Sequence, residues 1–133
     1  MPIWNEPATP TIATPHRQTW MKPQTEIRPD DWLCAQCRAF ITSERDRFLY
    51  NGFSEFEFTN PGGYTFGIIT FSRAPGCVVE GTPTLEYTWF AGHTWTICLC
   101  RGCALHLGWR YDGQYQFFGL IRRRLIRAST IFN

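Results

Sequence analysis

Two short cysteine pairs constrain the fold of this chain more than any other feature. They are Cys34-Ala-Gln-Cys37 and Cys100-Arg-Gly-Cys103, and they lie far apart in the sequence. A Cys-x-x-Cys knuckle offers one edge of a tetrahedron to a metal ion, so two knuckles supply the four thiolates that structural zinc prefers. We therefore predict one structural Zn²⁺ ion, bound by Cys34, Cys37, Cys100 and Cys103, that ties two distant parts of the chain together.

Disulfides are the alternative use of six cysteines. The N-terminus has no basic segment followed by an apolar one, so it does not resemble a secretory signal, and zinc is favoured. Cys77 and Cys98 stand among apolar residues and are expected to be buried thiols.

No apolar run approaches the roughly 20 residues that span a bilayer. We expect a cytoplasmic protein that has no membrane partner.

Proline usage divides the chain. Six of the nine prolines fall within residues 1–29, and proline restricts its own φ and disfavours helix in the residue before it. We predict a disordered leader over residues 1–29 and one folded domain over residues 30–133. The chain length of 133 residues is that of a single domain, and we expect a freestanding monomer.

The folded part has the pattern of β-strands. Residues 54–59 and 64–71 are rich in aromatic and β-branched types, several of them alternating with period two, and Asn60-Pro-Gly-Gly63 between them predicts a turn. Residues 120–127 mix arginine with aliphatic residues, which favours an edge strand or tail over a nucleic-acid patch. Further strands are predicted at residues 48–50, 94–99, 108–111 and 115–118, with a short helical piece near residues 42–46. The sequence thus predicts an antiparallel all-β domain pinned by zinc.

Aromatic residues crowd around the second knuckle. The chain is 17% aromatic and has 6 tryptophans. Tyr87 and Trp89 would face the same side of an extended segment, and Trp95 and Trp109 flank the knuckle on either side. Three indoles could form a small box that takes a methylated ammonium by cation–π attraction, or a small neutral ring hydrogen-bonded at its polar edge. Plain core packing is the third interpretation.

Several linked motifs resemble one family. They are Trp89-Phe-Ala-Gly-His-Thr-Trp95, Cys100-x-x-Cys103, His106-Leu-Gly-Trp109 and Phe117-Phe-Gly-Leu120. Together they resemble the CULT domain family, the thalidomide-binding domain type of cereblon, as do the segments Leu33-Cys-Ala-Gln-Cys37 and Phe58-Thr-Asn-Pro61 upstream. The resemblance implies a β-tent, in which two antiparallel sheets are pinned at one end by the four-cysteine zinc site.

The resemblance also implies a ligand pocket. Its walls would be Trp89, Trp95 and Trp109, and its ligand a small cyclic imide. Such ligands are the glutarimide of thalidomide-type drugs, a C-terminal cyclic imide on a protein, or a uridine-like ring. Backbone groups near residues 87 and 89 would hold the imide. Asn60 and Pro61 would line the rim.

Four further residues near this pocket are candidates. Tyr111 would close the floor, and Phe90 would serve the pocket or the core. Tyr87 stands where cereblon itself has histidine. His93 stands where the family usually has tyrosine, and a histidine pKa near 6.5 would make binding sensitive to pH.

Binding is favoured over catalysis. A methionine sulfoxide reductase-like zinc enzyme would need an activated cysteine, and neither Cys77 nor Cys98 has a basic neighbour in the sequence. A methyl-ammonium reader usually adds a carboxylate to its cage, and Glu86 is expected to point away. A purely structural zinc module is the remaining alternative.

A net charge of +2 gives little reason to expect a nucleic-acid partner. His106 is predicted to brace the Trp109 turn rather than to bind zinc.

Overall fold

Short antiparallel strands are the main regular elements of the structure. The computed structural model describes residues 22–131. Nine strands, β1 to β9, cover Asp31–Cys34, Phe40–Ser43, Glu55–Thr59, Thr65–Phe71, Cys77–Thr84, Thr94–Cys100, His106–Asp112, Gln116–Ile121 and Leu125–Arg127. Four 3-10 helices cover Gln24–Glu26, Glu44–Asp46, Arg122–Arg124 and Ala128–Thr130. None of the helices in residues 22–131 is long and apolar enough to cross a membrane.

The strands form two sheets. A three-stranded sheet has the order β2-β1-β9, and a six-stranded sheet has the order β3-β4-β8-β7-β6-β5. All paired strands are antiparallel. The predicted all-β class with two antiparallel sheets is therefore confirmed.

Local signals located some strands and missed others. β3 and β4 are joined by the predicted turn, in which the Asn60 side chain accepts a hydrogen bond from the backbone N–H of Tyr64 at 2.9 Å. The prediction missed β5, because Gly81 and Pro83 interrupt its pattern and the register with β6 shifts there. The predicted strand at residues 48–50 is wrong. That segment runs into a tight turn in which Asn51 and Gly52 take positive φ values.

The basic C-terminal segment packs on the domain's own aromatic rings. Of the edge strand or tail predicted at residues 120–127, only β9 lies at a sheet edge, because residues 120 and 121 belong to β8 inside the six-stranded sheet. The guanidinium groups of Arg122 and Arg127 lie 4.8 and 5.1 Å from the Trp32 ring, and that of Arg123 lies 5.6 Å from Phe66. These contacts use the arginines for cation–π packing against the domain itself.

Two hydrophobic clusters lie on opposite faces of the six-stranded sheet. One, near the cysteine pairs, includes Trp32, Phe71 and Leu120. The other is almost entirely aromatic, and we call it the aromatic core; its members are Phe66, Ile68, Phe90, Trp95, Trp109, Tyr111, Phe117 and Ile121, with Phe48, Tyr50, Phe56, Phe58, Trp89 and Ile97 packed around them. The period-two alternation of β7 sends Trp109 and Tyr111 into the aromatic core and Arg110 to the other face.

The predicted leader falls largely on residues 1–21, which lie outside the described residues. Its last part is described. Lys22 donates a hydrogen bond to the Asp31 carboxylate at 2.6 Å, and the backbone N–H of Arg28 donates to the same oxygen at 2.9 Å. The boundary at residue 29 stays a prediction.

Candidate functional site

Four cysteine sulfurs come together where the two sheets meet. The Sγ atoms of Cys34 and Cys103 lie 3.7 Å apart, those of Cys37 and Cys100 lie 3.6 Å apart, and all four lie within 4.8 Å of one another. A tetrahedral ion with metal–sulfur bonds of about 2.3 Å would hold its sulfurs about 3.8 Å apart. The cluster therefore fits a metal site with four thiolate ligands.

The two knuckles share one backbone geometry. The N–H of Arg38 donates to the carbonyl of Cys34, and the N–H of Ala104 donates to that of Cys100, both at 2.8 Å. Arg38 and Ala104 take left-handed φ values of 64° and 67°. One knuckle is the β1–β2 hairpin and the other the β6–β7 hairpin, so an ion bound by all four thiolates would link the two sheets.

The sulfur cluster favours a negative charge on one of its members. Hydrogen bonds with Cys100 and then Cys34 lower the pKa of Cys37 to about 4, although burial opposes this. The same contacts with Cys34 and Cys37 raise the pKa of Cys100. A shared thiolate at neutral pH makes the cluster attractive to a cation.

His106 lies outside the metal cluster and braces the neighbouring turn, as predicted. Its Nε2 donates to the Gly108 carbonyl at 2.8 Å. Its ring meets Trp109 edge-on, with centroids 5.0 Å apart. Burial and then the charge of Arg124 lower the pKa of His106 to about 3. The imidazole is thus neutral and fixes the position of the Trp109 indole.

Three tryptophans enter the aromatic core beside this turn, and we call Trp89, Trp95 and Trp109 the aromatic cage. The rings of Trp89 and Trp109 stand at 81° with centroids 5.0 Å apart. Trp95 is buried in the same cluster, and its Nε1 donates to the Glu86 carbonyl at 2.7 Å. The three indoles therefore belong to one aromatic cluster, in which Trp89 and Trp109 contact each other edge to face.

Two strands and one loop position the tryptophans of the aromatic cage. Trp95 lies on β6 and Trp109 on β7, whereas Trp89 lies on the loop between β5 and β6. That loop is held by the Thr88 hydroxyl, which donates to the His93 carbonyl at 2.7 Å. The expectation of an extended segment at residues 87–89 is wrong. Tyr87 has a φ of 57° within a turn and is exposed, while Trp89 is half-buried.

Two buried polar atoms of the aromatic core have no hydrogen-bond partner within residues 22–131. They are the Nε1 of Trp109 and the hydroxyl of Tyr111, and both residues are 0% exposed. Burial raises the pKa of Tyr111 well above its usual value, so its hydroxyl keeps its proton. Buried donors are nearly always paired. The Trp109 indole N–H is therefore an exception among the buried donors of the described residues.

The remaining predicted site residues differ in how far they are buried. Asn60 is buried and caps the β3–β4 turn, and Pro61 beside it is exposed. Phe90 is 1% exposed and packs edge-on against Tyr111, with centroids 4.7 Å apart. Phe90 therefore belongs to the packing beneath the cage.

His93, which was predicted to lie near the pocket, is a buried residue. It is 3% exposed and stacks on Tyr115 at 6.0 Å. Its Nδ1 lies 2.9 Å from the Ala91 carbonyl, and its Nε2 accepts from the backbone N–H of Tyr115 at 3.3 Å. Both ring nitrogens thus hold local backbone.

Sequence reasoning did not single out two phenylalanines that extend the cage. Phe58 stacks on Trp89 with centroids 5.0 Å apart and planes at 15°. Phe66 contacts both Trp89 and Trp109, at 6.1 and 5.6 Å. The two are directly opposite each other on β3 and β4, and the strong turn at residues 60–63 was the signal that could have paired them.

Comparison with known proteins finds similarity to cereblons. No family model matches it. It is 33% identical to cereblon of Danio rerio over 103 residues and 32% identical to cereblon of Gallus gallus over 101 residues, each covering 70% of this chain and 23% of the relative. Cereblon of Drosophila melanogaster is 29% identical over 98 residues, covering 67% of this chain and 17% of the relative. The chain spans less than a quarter of the length of these relatives. The similarity is that of a cereblon-like CULT domain.

Proposed function

We propose that this cereblon-like CULT domain is a non-enzymatic binding module that holds a small cyclic imide in the aromatic cage. The same proposal assigns one structural Zn²⁺ ion to the four-cysteine cluster. Four thiolates in tetrahedral spacing are the donor set that zinc prefers in structural sites. The ion supplies folding energy by joining two hairpins from different sheets.

The unpaired Nε1 of Trp109 is the observation that carries the ligand proposal. A cyclic imide has two carbonyl acceptors beside its ring N–H, and its ring would pack on the indole surface that the edge-to-face contact of Trp89 with Trp109 leaves open. A buried donor without a partner costs about 1–3 kcal/mol, which an acceptor would recover. A methylated ammonium has no acceptor, so this donor favours the imide.

Access to the cage is past Trp89. Trp95 and Trp109 are buried, whereas Trp89 is half-buried and lies on a loop. Phe58 covers one face of Trp89, so a ligand would approach from the side of Trp89 that Phe58 leaves open. An imide at the end of a protein chain suits such an opening as well as a free molecule does.

The chemistry of the spare cysteines supports binding over catalysis. Burial raises the pKa of the Cys98 thiol well above its usual value, and Cys77 is 6% exposed. A reductase needs an accessible cysteine whose pKa is lowered. A buried, protonated thiol does not provide that nucleophile.

The experiment is a titration of the zinc-loaded domain with glutarimide, measured by isothermal titration calorimetry. The Trp109→Phe variant keeps an aromatic ring and loses the N–H donor. The matched control is Trp32→Phe, because the Trp32 indole already donates to Glu44 at 2.9 Å in the other cluster. We expect the dissociation constant to rise about tenfold in Trp109→Phe, the worth of one buried hydrogen bond, and to stay unchanged in Trp32→Phe. Equal binding by wild type and Trp109→Phe, with zinc content intact, would contradict the assigned donor.

A further inference from the structure

A groove with basic walls crosses the face of the six-stranded sheet that lies opposite the aromatic cage. Its volume is about 450 Å³, within the range of ligand-sized clefts. We call it the arginine groove, and its lining includes Arg73, Val79, Arg101, Arg110, Gln116 and Phe118. Three arginines thus line one cleft together with apolar residues.

Arg101 is anchored by main-chain carbonyls. Its Nη2 donates to the Cys77 carbonyl at 2.9 Å, and its Nε donates to the Pro75 carbonyl at 3.3 Å. Its own backbone N–H donates to the Gly76 carbonyl at 2.8 Å. These bonds hold the guanidinium in one orientation at the edge of the groove. A fixed guanidinium loses little conformational freedom when it binds.

Arg110 is fixed in the middle of the sheet. Its Nε donates to the Asp112 carboxylate at 2.9 Å, and Gln116 donates to the other oxygen of that carboxylate at 2.6 Å. Thr96 lies directly across the strand pair from Arg110, and its buried hydroxyl has no partner within residues 22–131. This row of the sheet therefore holds a positioned cation beside an unsatisfied hydroxyl.

Arg73 completes the positive charge of the groove. Its backbone carbonyl accepts a hydrogen bond from the Thr42 hydroxyl at 2.6 Å, which fixes the main chain, while the residue itself is exposed. Within the described part of the chain, no carboxylate lies within ion-pair distance of Arg73. The residues that line the groove include three arginines, of which Arg110 is paired with the Asp112 carboxylate beside it, and the apolar walls of the cleft weaken solvent screening of the remaining charge.

We propose that the arginine groove binds an acidic peptide segment of a partner protein. Its carboxylates would pair with Arg73, Arg101 and Arg110, since guanidinium matches carboxylate geometry, and an apolar side chain between them would contact Val79 and Phe118. Nucleic acid fits less well, because it requires a longer row of cations and exposed stacking rings. The proposal is independent of the imide cage on the other face.

The experiment uses a fluorescein-labelled peptide of alternating glutamate and leucine, titrated with the zinc-loaded full chain and followed by fluorescence anisotropy. Arg73→Gln and Arg110→Gln each remove one groove charge. Arg45→Gln is the charge-matched control, because Arg45 is exposed and faces Asp30 at 3.7 Å outside the groove. Circular dichroism and zinc content verify the fold of each variant, and Arg73→Gln, at an exposed position, keeps the experiment decisive if Arg110→Gln misfolds.

We expect each groove variant to weaken binding about tenfold, the worth of one charge-assisted hydrogen bond, while Arg45→Gln binds as wild type does. The affinity should fall as salt rises toward about 0.15 M, since the contacts are ionic. Equal weakening by all three variants would overturn the proposal, as would the absence of binding at low salt. Tighter binding of a single-stranded oligonucleotide that is lost in the same variants would overturn it in favour of a nucleic-acid site.

Discussion

Acid should destabilise this domain through one buried histidine. His106 is 1% exposed, its Nε2–H donates to the Gly108 carbonyl, and its Nδ1 lies 3.3 Å from the cationic Arg124. Burial and then Arg124 lower its pKa from 6.5 to about 3. Between these two values the unfolded chain binds one proton more than the folded chain, so the free energy of unfolding rises with pH. The stability that neutral His106 contributes is complete above pH 6.5 and is lost as pH falls toward 3.

The size of the stability loss follows from the width of the pH interval. One titrating group changes stability by about 1.36 kcal/mol per pH unit. Moving from neutral pH to pH 5, about 1.5 units below 6.5, should therefore remove about 2 kcal/mol. In His106→Gln the side chain can still donate to Gly108 but cannot titrate, so this part of the pH dependence should disappear.

The assay is urea unfolding followed by tryptophan fluorescence at pH 7 and pH 5, in excess zinc, for wild type and His106→Gln. Protonation of the cysteine ligands affects both proteins, so the difference between their pH effects isolates His106. We expect that difference to be about 2 kcal/mol. The same pH effect in both proteins, within about 0.5 kcal/mol, would refute the buried neutral imidazole.

Three further perturbations test the metal site, the packing and the unpaired hydroxyl. Chelation of the metal, or Cys37→Ser, should unfold the domain because metal-binding energy is folding energy; an unchanged circular dichroism spectrum would contradict the structural zinc. Gly76→Ala should lower stability by about 3 kcal/mol or more, since a Cβ there would lie 2.1 Å from the Phe40 carbonyl oxygen, and an unchanged urea midpoint would show that the loop can move. Tyr111→Phe should raise stability by about 1 kcal/mol by removing a buried hydroxyl that has no partner within the described residues; a lower midpoint would indicate a partner for that hydroxyl.

The metal cluster was the easiest feature to predict from the sequence. Each Cys-x-x-Cys knuckle is local, so its geometry is fixed by a few residues, and only the pairing of the two knuckles needs the fold. His106 was also assigned correctly, because four thiolates already complete a tetrahedral site and Trp109 lies three residues away. The all-β class followed from alternation and strong turns.

The loop that carries Trp89 was harder to predict. Its aromatic and β-branched residues favour a strand, but Tyr87 takes a left-handed conformation and the Thr88 side chain bonds the loop backbone. Side-chain bonds of this kind compete with strand pairing. The contacts of Phe58 and Phe66 with the cage depend on cross-strand register, which periodicity alone does not determine.

The surface positions of the arginines could not be predicted from the sequence either. Arg122 and Arg123 look like part of a basic patch in the sequence, yet they lie over Trp32 and Phe66. Arg73, Arg101 and Arg110 are scattered in the sequence and converge on one groove only through the fold. Charge clustering along the chain therefore did not indicate this groove.

The most direct measurement of the cage is the indole region of a ¹⁵N–¹H correlation spectrum of the zinc-loaded domain, recorded with and without saturating glutarimide. The Trp109 signal is assigned by its loss in Trp109→Phe, and Trp32 is the internal control because its Nε1 already donates to Glu44. An imide in the cage predicts that the Trp109 Nε1–H signal moves downfield on gaining an acceptor while the Trp32 signal stays in place. A Trp109 signal that does not move at saturating ligand, in a folded and zinc-loaded sample, would contradict the imide-binding cage.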